Sequence, residues 1–423
     1  MRKFLAIANL VFTLVVSSAS ADPNAPPPPY PFAMVSNGNF LTNGDYPPAV
    51  LDAGARMVRL DLCFSMVRAQ PGDDPSAWAW QPLEQVKQVR AATPQIEALA
   101  LLGYCPAWAG EPKWQPKAPE ISNIPRGLDV TPVTDPKNLY GHFVYQEVQR
   151  YKNVIHDWES WNEPDLPGQA FFKGTGADFF PIQKTCYLAA KAADPACRVL
   201  FAGMCYGSVE GYVTTHHLSP LSPNPVPACF LEDYLKECAR DPDAKKNHYY
   251  FDVLSQHSYS RATDLYDYVA VDCKLLADYL GEDAKTKPVW VTEMGFPDAG
   301  GVFGGTPDEY CDYILQSFAW GKLAGVQRFF HFQLDNSNGH GLYDGMLGKP
   351  KPALITYRDV LTREFAGVTT VTQLHGRPGV GFLEGNSPYK PAWKSGYDAF
   401  EFQTPPGAAS AVSSWRSPIP GRT

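Results

Sequence analysis

Short apolar runs alternate with amphipathic stretches along most of the chain. Eight runs have the length and composition of strands: "PFAMVS" (31–36), "RMVRLDL" (56–62), "IEALALLG" (96–103), "NVIHDWESW" (153–161), "RVLFAGM" (198–204), "FDVLSQHS" (251–258), "KPVWVTEM" (287–294) and "QRFFHFQL" (327–334). Helix patterns lie between them. "PLEQVKQVRAA" opens on Pro82, and proline suits a first helical turn, where its missing N–H has no partner to lose. Val269, Cys273, Leu276 and Leu280 share one helical face, and Tyr310, Ile314, Ser317, Phe318 and Gly321 share another. "KPALITYRDVLTREFAG" ends on a glycine stop signal. Strands alternating with helices predict parallel βαβ units, and eight of them close a (β/α)8 TIM barrel. The alternative is an open doubly wound sheet, but no Gly-x-Gly-x-x-Gly follows a strand.

The ends of the chain break this rhythm. Residues 1–21 read as a signal peptide: Arg2 and Lys3, an apolar stretch from Phe4 to Val16, then Ala19-Ser20-Ala21, with cleavage before Asp22. A buried N-terminal helix is the bland alternative. The apolar stretch is too short to span a bilayer, so no membrane partner is expected after cleavage and the protein is expected to be secreted or periplasmic. Residues 22–31, "DPNAPPPPYP", form a stiff proline-rich leader. Residues 32–366 carry the barrel and its chemistry. After them "VTTVTQLHG", "VGFLEG" and "YDAFEFQ" suggest a small β-rich segment, 367–423, with a disordered tail. Its 423 − 366 = 57 residues are too few for a sandwich.

Composition narrows the partners. The formal charge is 36 − 44 = −8 and no basic block stands out, so no nucleic-acid partner is expected. Nine cysteines suit an oxidising compartment, but no Cys-x-x-Cys or Cys/His cluster at metal spacing occurs. No metal and no cofactor is expected. Cys63 and Cys105 each follow one of two neighbouring predicted strands and are the best candidate disulfide. The sequence fixes no oligomeric state.

Chemistry in a barrel gathers at the carboxyl ends of the strands. The fourth run ends in Trp161-Asn162-Glu163-Pro164 and the seventh in Thr292-Glu293-Met294-Gly295. Pro164 predicts an extended backbone at Glu163. Strands four and seven face each other across a ring of eight, so the two carboxylates converge over the barrel axis. Glycoside hydrolysis needs such a pair, one proton donor and one nucleophile or base. Either glutamate alone reads equally well as a salt-bridged strand end.

"WNEP" (161–164) and "VTEMGFP" (291–297) together resemble the acid/base and nucleophile strands of glycoside hydrolase clan A. "ALLGYCPAWA" (100–109) and "GLYDGMLGKPKPALITYRDV" (341–360) are most similar to the clan's family of β-xylosidases and α-L-iduronidases, family 39. The resemblance spans roughly residues 32–366. It implies that Glu163 is the acid/base and Glu293 the nucleophile of a retaining enzyme acting on β-linked oligo- or polysaccharides. It places Arg59 of "VRLDL" beside the nucleophile, and Tyr259 of "QHSY" on it with His257 nearby. Asn162 is suited to bond the sugar 2-hydroxyl. The clan's strand-eight tryptophan is missing. Phe332 in "HFQLDN" is a candidate platform in its place, with Gln333 or Asp335 as polar alternatives.

The proline-rich stretch 103–138 is long for a barrel loop and carries Trp108 and Trp114, which are expected to supply a sugar platform; the bland alternative is that they pin the loop to the barrel. Two other readings remain: a carbohydrate-binding barrel without catalysis, and a metal-dependent hydrolase. The joint presence of Asn162, Glu163, Tyr259 and Glu293 argues against the first. The lack of a His/Asp ligand cluster on the first strands argues against the second.

Overall fold

The computed structural model describes residues 30–36, 39–80, 84–112, 122–168, 170–218, 226–298, 305–335, 339–375 and 399–404. The signal peptide expected over 1–21, residues 22–29 of the leader expected over 22–31, the segment "VGFLEG", the C-terminal tail and Trp114 lie outside them.

Eight parallel strands form one sheet: β1 Phe32–Val35, β2 Met57–Asp61, β3 Glu97–Leu101, β4 Asp157–Glu159, β5 Arg198–Leu200, β6 Leu254–Ser258, β7 Val289–Met294 and β8 Val326–His331. Their order is β5-β4-β3-β2-β1-β8-β7-β6. The seam between β5 and β6 is joined by Phe201 N–H to the Val253 carbonyl at 2.9 Å and Met204 N–H to the Ser255 carbonyl at 3.2 Å. This is the expected (β/α)8 barrel. Each of the eight apolar runs yields one strand, though β4 and β5 are shorter than their runs. Beyond them pairing continues at isolated bridges, Asn162 to Gly203 and Met204 to Gln256.

The side-chain period of two divides each strand between two cores. In β1, Phe32 and Met34 face the helices while Ala33 and Val35 face the axis. Met57, Leu99, Leu200, Val253, Trp290 and Phe330 join Ala33 and Val35 to fill the barrel's lower interior. The outer core is built against helices such as Leu139–Tyr151, Gly176–Ala193, Ala262–Leu280 and Pro307–Leu323. Two of these start on a capping box that satisfies the first free N–H groups: Thr175 with Asp178, and Thr306 with Glu309. With the lower interior plugged by hydrocarbon, the polar inward positions are left at the carboxyl end.

Strands β9 Thr370–His375 and β10 Ala399–Gln403 pair antiparallel. This small sheet rests on the helix Pro307–Leu323, where Phe400 meets Trp320 edge-on at 5.2 Å and Phe402 stacks on Phe318 at 6.4 Å.

All nine cysteines are free thiols, so the expected Cys63–Cys105 disulfide is absent. Register explains why. Asp61 of β2 pairs with Leu101 of β3, so Cys63 stands two residues past that level and Cys105 four. The Cys105 thiol instead faces the Pro106 carbonyl at 3.4 Å.

Candidate active site

The inward face of β2 reads Met57, Arg59, Asp61 from base to mouth. Arg59 is buried and directs all three of its nitrogens inward. Nε donates to Glu159 Oε2 at 2.5 Å, Nη1 to Glu293 Oε1 at 2.5 Å and Nη2 to Asn162 Oδ1 at 3.0 Å. Burial works against its charge, but Glu159, Glu293 and Asp61 outweigh it and raise its pKa further. One guanidinium thus ties β2 to β4 and β7. It also fixes the Asn162 amide with its oxygen occupied and its NH2 group turned from the guanidinium.

Glu293 lies one residue from the end of β7. Its other oxygen, Oε2, accepts from the Tyr259 hydroxyl. Burial pushes its pKa up, but His257, Arg59 and the Tyr259 bond together hold it below the ordinary carboxylate value. Thr292 beside it also points inward, bonding Glu159 Oε1 at 2.8 Å and His257 Nε2 at 3.1 Å. Two successive inward residues break the strand's alternation. The pairing of β7 with β8 shifts register between Val291 and Met294, and this irregularity re-aims the glutamate.

Glu163 follows the bridge at Asn162. Its φ is 39°, so its backbone is left-handed and not the extended form that Pro164 predicts. Such a conformation costs about 1–3 kcal/mol and persists only where neighbours enforce it. Here they do. Glu163 N–H donates to the Gly203 carbonyl at 2.7 Å, and the Asp165 carboxylate accepts from the backbone of Cys205 at 2.8 Å and Ser208 at 2.7 Å. Glu163 Oε1 meets His257 Nδ1 at 3.0 Å. Burial raises the Glu163 pKa. His257 opposes the rise, while Glu293 and Asp165 add to it. The two glutamates are therefore pushed to opposite sides of the ordinary value.

Glu163, His257 and Glu293 each offer a ligand atom, all within 4.8 Å of one another. A divalent ion would fit that spacing, and it would compete for the Glu293 oxygens with Arg59 and Tyr259. The same atoms set one carboxylate opposite the other at the mouth of a cavity of about 590 Å3, a volume typical of small-ligand sites.

Of the residues singled out from sequence, Arg59, Asn162, Glu163, His257, Tyr259, Glu293 and Phe332 all line this cavity. Phe332 stands edge-on to Tyr259 at 5.5 Å. Trp108 does not line it. Its indole N–H donates to the Arg68 carbonyl at 3.1 Å, the Arg68 guanidinium lies 4.9 Å over its ring, and Phe64 packs against it. It pins the long loop to the barrel. The aromatic wall is instead Tyr104 stacked on Phe171 at 5.8 Å, with Tyr206 nearby. Glu159, Thr292 and Gly203 were also missed. A Cβ on Gly203 would fall 2.2 Å from His257 Nε2, so only glycine lets that imidazole sit where it does. Glu159 lay in plain view four residues before Glu163, and Thr292 directly before Glu293.

No protein-family profile matches the sequence, and no curated protein does. Solved structures match well. A family 39 glycoside hydrolase from the gut symbiont Bacteroides cellulosilyticus WH2 superposes with a TM-score of 0.58 at 15% identity, over 89% of this chain and 69% of that one. The fold is theirs in common. A family 39 β-xylosidase from Caulobacter crescentus gives 0.55 at 17% identity, over 79% of this chain and 72% of that one. A glucosidase from Croceicoccus marinus gives 0.54 at 15%, over 77% of this chain and 64% of that one, so the chain spans less than two thirds of that protein.

Proposed function

We propose that the chain is a retaining glycoside hydrolase that cleaves β-linked sugars by double displacement. The observation that carries this reading is the carboxylate pair. Glu163 and Glu293 reach from facing strands to within 4.8 Å of each other, with their pKa values pushed apart. Retaining enzymes keep their carboxyl groups about 5–5.5 Å apart, whereas inverting ones leave about 6.5–9.5 Å for a water. The shared fold with glycoside hydrolases agrees with it.

In this mechanism ionised Glu293 attacks the anomeric carbon while Glu163 protonates the departing oxygen. The C–O bond breaks and a glycosyl–Glu293 ester forms. Esterification removes the charge that helped keep Glu163 protonated, so Glu163 then takes a proton from water, which releases the sugar with its original configuration. Asn162 offers its NH2 to the 2-hydroxyl, and Tyr259 and Arg59 hold Glu293 in line. The test is turnover on aryl β-glycosides and β-glycans, before and after Glu293→Ala. Activity in the parent and its loss in a folded variant, with azide restoring a glycosyl azide of inverted configuration, is the expected result. Binding without turnover in the parent would instead indicate a carbohydrate-binding barrel.

We further propose that the protein is exported. The charged, apolar and Ala-x-Ala sequence of residues 2–21 supports this. Terminal sequencing of the exported protein should begin at Asp22, and an intact Met1 would refute it.

A further inference from the structure

Among the described residues, the cavity is lined by three acids, Asp61, Glu163 and Glu293, and by one permanent cation, Arg59. All three Arg59 nitrogens are engaged, on Glu159, Glu293 and Asn162. His340, also at the wall, stays neutral near neutral pH, because burial and then the Lys351 charge push its pKa down to about 4. Lys351 itself is paired with Asp298 at 2.9 Å.

The double displacement employs two of the acids and leaves Asp61 unexplained. Asp61 closes β2, two residues beyond Arg59. It therefore faces the axis from the same side, one pleat nearer the mouth. Burial raises the pKa of its carboxyl above the ordinary value; Arg59 opposes the rise, while Glu293 and Glu159 add to it. No hydrogen-bond donor among the described residues reaches it. A carboxylate in that position has free lone pairs directed at whatever sugar sits over Glu293.

Resting on the glycosidase reading, we propose that Asp61 is a specificity-determining residue: it accepts a hydrogen bond from a ring hydroxyl of the sugar over Glu293 and repels sugars that carry a carboxylate. A hydroxyl that meets this carboxyl in its ionised form makes a charge-assisted bond, about twice as strong as a neutral one. A uronate would bring another negative charge to the same wall with no unengaged cation among the described residues to meet it. The substrate is accordingly a neutral β-glycan.

The experiment uses the full chain with matched substrates. Aryl β-glycosides of neutral pentoses and hexoses are compared with the β-glucuronide, and a monodeoxy series is built on the best neutral sugar. The parent should favour the neutral sugars by about 100-fold or more in kcat/KM, the scale of a repelled charge plus a lost bond. Asp61→Ala should lower kcat/KM on the best sugar by about 10- to 100-fold, as expected for a bond to a charged group. One deoxy substrate should suffer a similar loss in the parent and no further loss in Asp61→Ala. Asp61→Asn, nearly isosteric, should show the same pattern with a smaller loss, which protects the test if the alanine variant folds poorly. Equal losses for every deoxy sugar in parent and variants would make Asp61 a structural charge and overturn the proposal. Comparable turnover of the glucuronide by the parent would overturn it while leaving the glycosidase reading intact. No turnover of any glycoside or glycan would remove that reading, and the role of Asp61 with it.

Discussion

At the scale of single residues, the candidate site makes two glutamates unlike. Glu293 carries two donors and sits beside two cationic side chains, whereas Glu163 is buried against one imidazole. The pH dependence follows with a definite sign. The proposed double displacement needs Glu293 ionised, so on that reading kcat/KM should rise with pH through a pKa below the ordinary glutamate value of about 4.3. It also needs Glu163 protonated, so the rate should fall as pH passes a second pKa above that value. In Glu163→Gln the alkaline limb should vanish, and poor leaving groups should suffer far more than activated aryl ones. Equal losses on both substrate classes, with the limb kept, would reduce Glu163 to a structural partner. That Glu163 and Asn162 belong to the cavity was legible because both sit in one tetrapeptide at a strand end. Glu159 and Thr292 adjoin the glutamate motifs and were still passed over, as was Gly203, because each matters only through contacts with side chains from other strands. The left-handed backbone at Glu163 was misread for a related reason. Pro164 favours an extended neighbour locally, but the Asp165 contacts to Cys205 and Ser208 impose another geometry.

At the scale of elements, the eight strands were readable because each is a short apolar run between turn signals. Their irregularities were not. The register shift in β7 that aims both Thr292 and Glu293 inward has no signature in composition. The Cys63–Cys105 pairing failed similarly, on a two-residue difference in height. The helix Leu139–Tyr151 holds a further consequence. Its Glu147 is fully buried and neither carboxyl oxygen has a hydrogen-bond partner among the described residues. Burial raises its pKa far above the usual range, with Arg150 opposing and Glu84 assisting. The folded state therefore keeps a proton that the unfolded chain releases above about pH 4.3, and stability from this group falls as pH rises, by about 1.4 kcal/mol per unit until the folded pKa is reached. Glu147→Gln should raise the melting temperature at pH 7 and change it little at pH 4. A variant less stable than the parent at pH 7 would show that the carboxylate is satisfied when ionised.

At the scale of the molecule, the barrel gathers what the chain scatters. Arg59, Glu163, His257 and Glu293 come from four separate strands or their ends, and the closed ring sets them around one cavity. The barrel count was legible because eight runs leave few other closures, but the long loop after β3 was not. Trp108 was a reasonable platform by residue type, yet it serves as a pin, and Tyr104 with Phe171 forms the wall. No helix among the described residues is long and apolar enough to cross a membrane. The central claim is that Glu293 attacks the sugar and carries it through a covalent stage. The most direct measurement is mass mapping of the protein after inactivation with a 2-deoxy-2-fluoro glycoside of its best substrate, whose ester hydrolyses slowly. The account predicts one glycosyl group per chain, on the peptide that contains Glu293. A label on another residue, or undiminished turnover with no label, would contradict it.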